Sequence, residues 1–218
     1  MKNIIFIAAP AAGKGTASEA LMEKYGYAHI STGDILRSMA KEDSELGRTL
    51  SDLLSKGELI SDSIVYEAVE KRLSMPDLDN GYILDGFPRN IEQDIKYDDI
   101  LKNIGRDLGI VIELKTPVDI LKKRITGRRI CKECGQTHNV LTNVNAPKVE
   151  GICNKCGGTL YQRGDDNEES FKTRYQTYLD KTLPIIDYYR KKGVLYTLES
   201  CDPNETLKEI EALINDYN

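Results

Sequence analysis

Residues 13–16 read Gly-Lys-Gly-Thr, two residues behind the apolar run IIFIAAP and ahead of a helical pattern. A loop that holds a triphosphate must aim several backbone N–H groups inward, and glycine permits the dihedrals and close approach this requires. The general form is glycine, four residues, Gly-Lys, then Ser or Thr. Lys14 is placed to reach the β- and γ-phosphates, and the helix behind it supplies a positive end. Ala8 stands where the first glycine should be, so the pattern is partial and also fits an ordinary strand-to-helix turn.

Cys131 and Cys134 form one close pair and Cys153 and Cys156 another, with 18 residues between them. Two such knuckles can bring four thiolates to a tetrahedral point, which suits zinc, although spacing alone leaves iron open. Glycines at 135, 157 and 158 allow the tight turns. A closed four-sulfur site has no open position for a substrate, so its expected role is to fold a module too small for a core of its own. The fifth cysteine, Cys201, has none nearby and is expected to be buried or half buried.

Four further segments carry arginines or carboxylates at expected loop or helix ends: STGDILR (31–37), LDGFPRN (84–90), KRITGRR (123–129) and RGDDNEESFKTR (163–174). Taken singly, each reads as a solvated arginine or a capping aspartate. Taken with Lys14, they provide Arg37, Arg89, Arg124, Arg128, Arg163 and Arg174, seven cations from separate parts of the chain. Phosphoryl transfer spreads charge over the phosphoryl oxygens, so its protein must align donor and acceptor and surround them with positive charge. Arginine suits that task because its fork is always charged and bidentate on phosphate.

The elements that must position these groups alternate. Apolar runs at 3–8, 27–31, 81–87, 109–114 and 194–199 predict strands, and helical patterns occupy 14–25, 33–40, 44–56, 62–74, 90–103, 117–126, 168–192 and 203–217. Alternation of this kind implies crossovers and a doubly wound, parallel five-stranded α/β sheet covered on both faces. Pro184 should bend the long helix. His29, within a short apolar strand, reads as a packed core residue. Two excursions break the alternation: residues 31 to about 60, mostly helical, and 127 to about 166, rich in turns and holding the cysteine pairs.

Bulk properties narrow the partners. The chain has 218 residues, 30 basic and 35 acidic, a net charge of −5 and no basic block, which argues against nucleic-acid binding and against a zinc-ribbon reader. The amino-terminal apolar run is too short for a membrane span. Cleavage after AAPAA would discard the strand that leads into the loop, so no export signal and no membrane are expected and a reducing cytoplasm is the expected setting.

In their joint order, PAAGKGT and the four segments resemble the adenylate kinases, which move a phosphoryl group from ATP to AMP, and specifically the long-lid bacterial type with a four-cysteine zinc site. The resemblance implies a core with a P-loop over 1–30, 61–126 and 167–218, a monophosphate-binding insertion over 31–60 and a zinc-bearing lid over 127–166. It implies ATP at Ala11, Ala12, Gly13, Lys14, Gly15, Thr16, Arg124, Arg128, Thr137 and His138, where a tyrosine is more usual than His138. It implies AMP at Thr32, Arg37, Glu58, Leu59, Ile60, Gly86, Phe87, Pro88, Arg89, Gln93, Arg163 and Arg174. Asp85 matches the carboxylate that holds magnesium through water, and Lys14, Arg89, Arg124, Arg128, Arg163, Arg174 and Asp85 form the implied catalytic set. The family's partners are ATP, AMP and ADP, and the resemblance suggests a monomer. Ala8, Ala11 and Ser200 depart from glycines usual in the family. Two other readings stay open: a UMP or CMP kinase, and a nucleotide-binding protein whose altered loop has lost catalysis.

Overall fold

The computed structural model describes residues 3–58, 60–78 and 80–217. Five parallel strands, β1 (Ile4–Ala8), β2 (Ala28–Ser31), β3 (Tyr82–Asp85), β4 (Ile110–Lys115) and β8 (Leu195–Glu199), lie in the order β2-β3-β1-β4-β8. Both faces are covered. Ile5 and Ile7 point into one apolar cluster, while Ile4 and Phe6 point into the other. A strand buried on both sides has no polar face to alternate with, which is why the central strands read as continuous apolar runs. Each of these side chains is at most 2 % exposed and contributes about 1.5–3 kcal/mol by burial.

The crossovers are helical. After β1 comes α1 (Lys14–Tyr25); after β2 come α2 (Thr32–Met39), α3 (Glu45–Lys56) and α4 (Asp62–Leu73), with a short 3-10 turn at Pro76–Leu78. After β3 comes α5 (Ile91–Ile104), and after β4 comes α6 (Val118–Gly127). Polar side chains fix several of their starts: Ser31 Oγ accepts from Asp34 N, Ser44 Oγ from Gly47 N, and Asn90 Oδ1 from Gln93 N. In the sheet register Ser31 pairs with Asp85 and Asp85 with Phe6, so the loops after β1, β2 and β3 leave from one edge. That carboxyl edge is where an open α/β sheet offers a crevice to a ligand.

The turn-rich stretch after α6 contains strands that the sequence pattern does not reveal. β5 (Arg128–Cys131) pairs antiparallel with β6 (Thr137–Asn139) and with β7 (Leu160–Tyr161). They are short and carry Arg, Cys, Thr, His and Asn in place of an apolar run.

The predicted long helix is also divided. α7 (Glu168–Thr177) passes through a π-helical turn at Tyr178–Thr182 into α8 (Leu183–Lys192), with Leu183 N bonded to Tyr178 O. Pro184 lies in the first turn of α8, where its missing N–H costs least, and the widened turn just before it takes the place of a simple kink. A final helix, α9 (Pro203–Tyr217), follows β8.

Candidate active site

The loop between β1 and α1 borders a cavity of about 980 Å³. Gly13 takes φ +104 at the start of α1, and Ala11 takes φ +65. The two alanines are therefore not equivalent. Ala8 ends a strand in register with Leu114, an extended backbone that any residue adopts, whereas Ala11 sits in the left-handed region that disfavours a Cβ. Lys14 Nζ lies 3.5 Å from Ala8 O, 3.4 Å from Ala9 O and 3.7 Å from Asp85 Oδ1, all long contacts that leave it available to an anion.

Lys14, Arg37, Arg89, Arg124, Arg128, Arg163 and Arg174 all line this one cavity. Burial pulls Lys14, Arg89, Arg124 and Arg163 below their usual values and brings Arg174 down to about 10. Neighbouring arginines add to the effect on Lys14, Arg89, Arg163 and Arg174. Cations held down by burial and by one another gain from an arriving polyanion. Arg128 is the exception: burial acts against its charge, but its bidentate pairing with Asp166 outweighs that and raises it.

Carboxylates that sequence reasoning gave no role hold several of these arginines. Asp165 Oδ2 accepts from Arg174 Nη1 at 3.0 Å, and Asp34 Oδ1 accepts from both Arg37 and Arg163. Asp165 and Asp166 stand inside the RGDDNEESFKTR segment, so their position was visible though their partners were not. Arg124 bonds Cys201 O through Nη2, while its buried Nη1 has no partner among the described residues.

Two expectations about single residues fail. His29 is half buried on the cavity wall, with Nε2 4.0 Å from Asp85 Oδ2, because β2 ends at the site and the sheet edge there is open; it is not a packed core residue. Cys201 is exposed, since it lies in the turn between β8 and α9. Ser200, by contrast, is 2 % exposed and donates from Oγ to Ala12 O at 2.7 Å, bracing the loop from behind.

A smaller hollow of about 60 Å³ adjoins the cavity and shares Gly33, Arg37, Gly57, Gly86, Arg89 and Arg174 with it. Thr32, Glu58, Ile60 and Gln93 line it. Thr32 Oγ1 donates to Asp85 O at 3.2 Å, and a Cβ at Gly86, whose φ is +85, would come within 2.6 Å of Thr32 Oγ1. The Gln93 amide accepts from Arg89 N and donates to Asp62 Oδ1. Phe87 lines neither hollow. It is fully buried, edge-on to Tyr66 and Tyr97, and belongs to the core, while Pro88, joined to it by a cis peptide, borders the larger cavity. Leu59 lies outside the described residues.

From the turn-rich module, Gln136, Thr137 and His138 also line the cavity. His138 is 1 % exposed, and its two ring nitrogens turn to Asn145 O and Cys153 Sγ, within the module and not toward a nucleotide. Gln136 Nε2 donates to Glu19 Oε2 on α1 at 3.0 Å. Burial raises the Glu19 carboxyl to about 6.

The four cysteines converge. Cys131 and Cys156 sulfurs are 3.4 Å apart, Cys134 and Cys153 sulfurs 3.7 Å, and all four lie within 4.8 Å of one another. A tetrahedron of thiolates at 2.3 Å from zinc has edges of about 3.8 Å, so the donor set fits such an ion. A Cβ at Gly158 would come within 2.9 Å of Cys131 Sγ, and Gly135 and Gly157 take φ +73 and +75 in the two knuckles. Backbone N–H groups bring the Cys131 thiol down to about 7. Cys153 also falls to about 7, its burial outweighed by N–H groups of Cys156 and Lys155 and by the His138 ring.

The family model for adenylate kinase matches residues 6–194. The chain belongs to the adenylate kinase family. It is 46 % identical to an adenylate kinase of Thermosipho melanesiensis over 97 % of this chain and 99 % of that protein, and 44 % identical to one of Archaeoglobus fulgidus over 97 % of each. The adenylate kinase of Clostridioides difficile is 47 % identical over 88 % of each chain. This chain is thus a nucleoside monophosphate kinase by family, on the parallel α/β sheet its sequence predicts. Among the described residues, no helix is long and apolar enough to cross a membrane.

Proposed function

We propose that the protein catalyses ATP + AMP ⇌ 2 ADP with the cavity above the carboxyl edge of the sheet. The observation that carries the reading is the convergence of seven cations from separate segments on a single cavity with two ends. ATP lies along Ala11–Thr16, with Lys14, Arg124 and Arg128 on its phosphates and Thr137 beside it; AMP lies in the small hollow, with Thr32, Arg37, Glu58, Ile60 and Gln93 around it. Residues 31–60 act as the monophosphate-binding insertion and 127–166 as the lid. The Arg163–Asp34 ion pair and the Glu19–Gln136 bond, which join lid to insertion and lid to core, support that division.

In the reaction an AMP phosphate oxygen bonds to the γ-phosphorus as the bond from that phosphorus to the β-bridging oxygen breaks. The electron pair stays with the departing ADP, and no side chain serves as a nucleophile. Arg89, Arg163 and Arg174 hold the transferring group in line while the closed lid excludes water, which would otherwise accept the phosphoryl group. Magnesium arriving with ATP would supply charge neutralisation on its phosphates, and Asp85 would hold it through water. Zinc is our assignment for Cys131, Cys134, Cys153 and Cys156, where it would hold the lid together as in the long-lid bacterial enzymes. We further propose a monomer working in a reducing cytoplasm, the compartment that suits five free thiols.

The test is direct. Metal-loaded protein is incubated with magnesium-ATP and, separately, AMP, UMP, CMP or GMP, and the nucleotides are resolved. ADP formed only with AMP, and lost in Lys14→Met and Arg89→Ala, is expected. Binding of ATP without a diphosphate in any tube would overturn the reading.

A further inference from the structure

The two ends of the Gln93 amide cannot be exchanged. Oε1 accepts from the backbone N–H of Arg89 at 2.7 Å, and a backbone N–H only donates. Nε2 donates to Asp62 Oδ1 at 2.6 Å, and a carboxylate only accepts. Turning the amide over would set donor against donor at Arg89 and acceptor against acceptor at Asp62, in a side chain 3 % exposed with little water to compensate. The backbone beneath it is held as well. Asn90 Oδ1 accepts from Gln93 N at 2.7 Å, and Asn90 Nδ2 lies 3.4 Å from Asp62 Oδ2. Asp62 opens α4 and reaches the start of α5, 31 positions away, with one carboxylate oxygen on each partner.

A primary amide has two hydrogens on nitrogen and two lone pairs on oxygen. With one of each used inside the protein, Gln93 keeps one donor and one acceptor, in fixed order, for whatever enters the small hollow that it lines. The amino edge of adenine is the complement of such a pair, a ring nitrogen that accepts beside an amino group that donates. The oxo edge of hypoxanthine or guanine presents the same two positions reversed, a ring N–H beside a carbonyl oxygen. We propose that Asp62 is a specificity-determining positioning residue: by holding Gln93 Nε2 it fixes the order of donor and acceptor in the small hollow, which then selects an aminopurine monophosphate over its oxopurine counterpart. A base of the wrong order sets like groups against each other in a buried site, and that mismatch rejects it. Asp62 lines neither hollow, so it acts on the base through Gln93. Without it, the Arg89 N–H alone would resist rotation of the amide.

This inference rests on placing AMP in the small hollow, and the experiment separates the two. Inosine monophosphate is the probe, since its base differs from that of AMP in the recognised edge alone. Full-length parent, Asp62→Ala and Asp62→Asn are titrated calorimetrically with each monophosphate, with the donor end filled by a non-hydrolysable ATP analogue. The ratio of the two dissociation constants is the readout, and turnover with magnesium-ATP is recorded alongside. The parent is expected to favour AMP. In Asp62→Ala that preference falls on the order of 10-fold, while the KM for ATP is unchanged. Asp62→Asn, whose amide can accept as before or donate to a turned Gln93, falls between. General damage to the fold would weaken both monophosphates together, so an unchanged ratio in Asp62→Ala overturns the inference, as does a parent that binds the two equally. The expected ratios without any diphosphate from ATP would sink the kinase reading and leave this one standing; a parent that binds neither monophosphate would sink both. If Asp62→Ala does not fold, Asp62→Asn decides: a smaller preference than the parent's supports the proposal, and an equal one overturns it.

Discussion

Asp34 Oδ1 accepts from Arg163 Nη2 at 3.1 Å and from Arg37 Nη2 at 2.6 Å, so one carboxylate on α2 holds two arginines that stand 126 positions apart. In the proposed reaction the carboxylate occupies cations assigned to phosphate, so an arriving nucleotide would have to displace it. Asp34 is more than half exposed, so the contest is modest. Asp34→Asn should lower the KM for AMP by up to about 5-fold, the equivalent of about 1 kcal/mol for an exposed pair. Steady-state kinetics at saturating ATP check this; an unchanged or higher KM would show that the pairs do not compete with substrate.

The two alanines of the phosphate loop should separate on substitution. Ala11→Gly relieves a Cβ at φ +65 and should raise stability by about 0.5–1 kcal/mol after the added freedom of the unfolded chain is subtracted. Ala8→Gly acts within a strand and should lower it by about 0.5–1 kcal/mol. Urea unfolding of both variants gives opposite signs if the backbone assignment is right. Any gain in ATP affinity should follow Ala11→Gly.

Ser200 braces the same loop through a buried bond to Ala12 O. Removing the hydroxyl leaves that carbonyl unmatched, at about 1 kcal/mol. Ser200→Ala should therefore lower stability by that amount and, on the proposed assignment of the loop to the donor, raise the KM for ATP more than the KM for AMP. Equal changes in both constants would point to a general loss of folding.

Glu19 supplies a pH dependence. Burial lifts its carboxyl from 4.5 to about 6 in the folded protein. Below pH 4.5 both folded and unfolded forms are protonated and the group is neutral in its effect. As the pH rises toward 6 the unfolded chain releases its proton first, so the folded state becomes less favoured, and above 6 the loss is complete. The thermal midpoint of Glu19→Gln should fall less than the parent's between pH 4.5 and 7, as followed by circular dichroism. Parallel curves would show that Glu19 is not buried beneath Gln136 in solution.

If the four cysteines hold zinc as proposed, its removal should act locally. The small sheet of three short strands has little apolar burial of its own, whereas the three central strands of the parallel sheet carry Ile, Val, Leu and Phe buried to 2 % exposure or less. Stripping the metal from full-length protein should open residues 127–166 to protease while the rest resists, and should abolish turnover by exposing the reacting phosphates to water. Cleavage spread evenly along the chain would contradict a local role.

The parallel sheet was legible because strands buried on both faces leave nearly continuous apolar runs: IIFIA, YIL and IVIEL in this sequence, with Glu113 the one interruption. The cationic set was legible because Lys14 and the arginines lie within short motifs of fixed order. What could not be read depends on contacts between distant residues or on backbone angle. Nothing in Ala11 reveals a positive φ, and nothing in Ser200 reveals Ala12, 188 positions away. Phe87 sits in a site motif, yet its ring faces the core, because its neighbours in space are Tyr66 and Tyr97. His138 was read against a tyrosine position, and its burial beside Cys153 follows only from how the two knuckles fold together.

The π-helical turn at Tyr178–Thr182 sets an angular phase between the two helices it joins. Each residue of an α-helix advances the chain by about 100°, so one residue too few in this turn would rotate everything before it by that amount relative to α8. Thr182 Oγ1 holds Arg89 O at 3.0 Å at one end of the turn, and α7 presents Arg174 to the cavity before the other. The wide turn therefore works as a fixed offset in a gear train, and a chain with a single residue deleted there would keep every charged side chain of the site while pointing Arg174 at solvent.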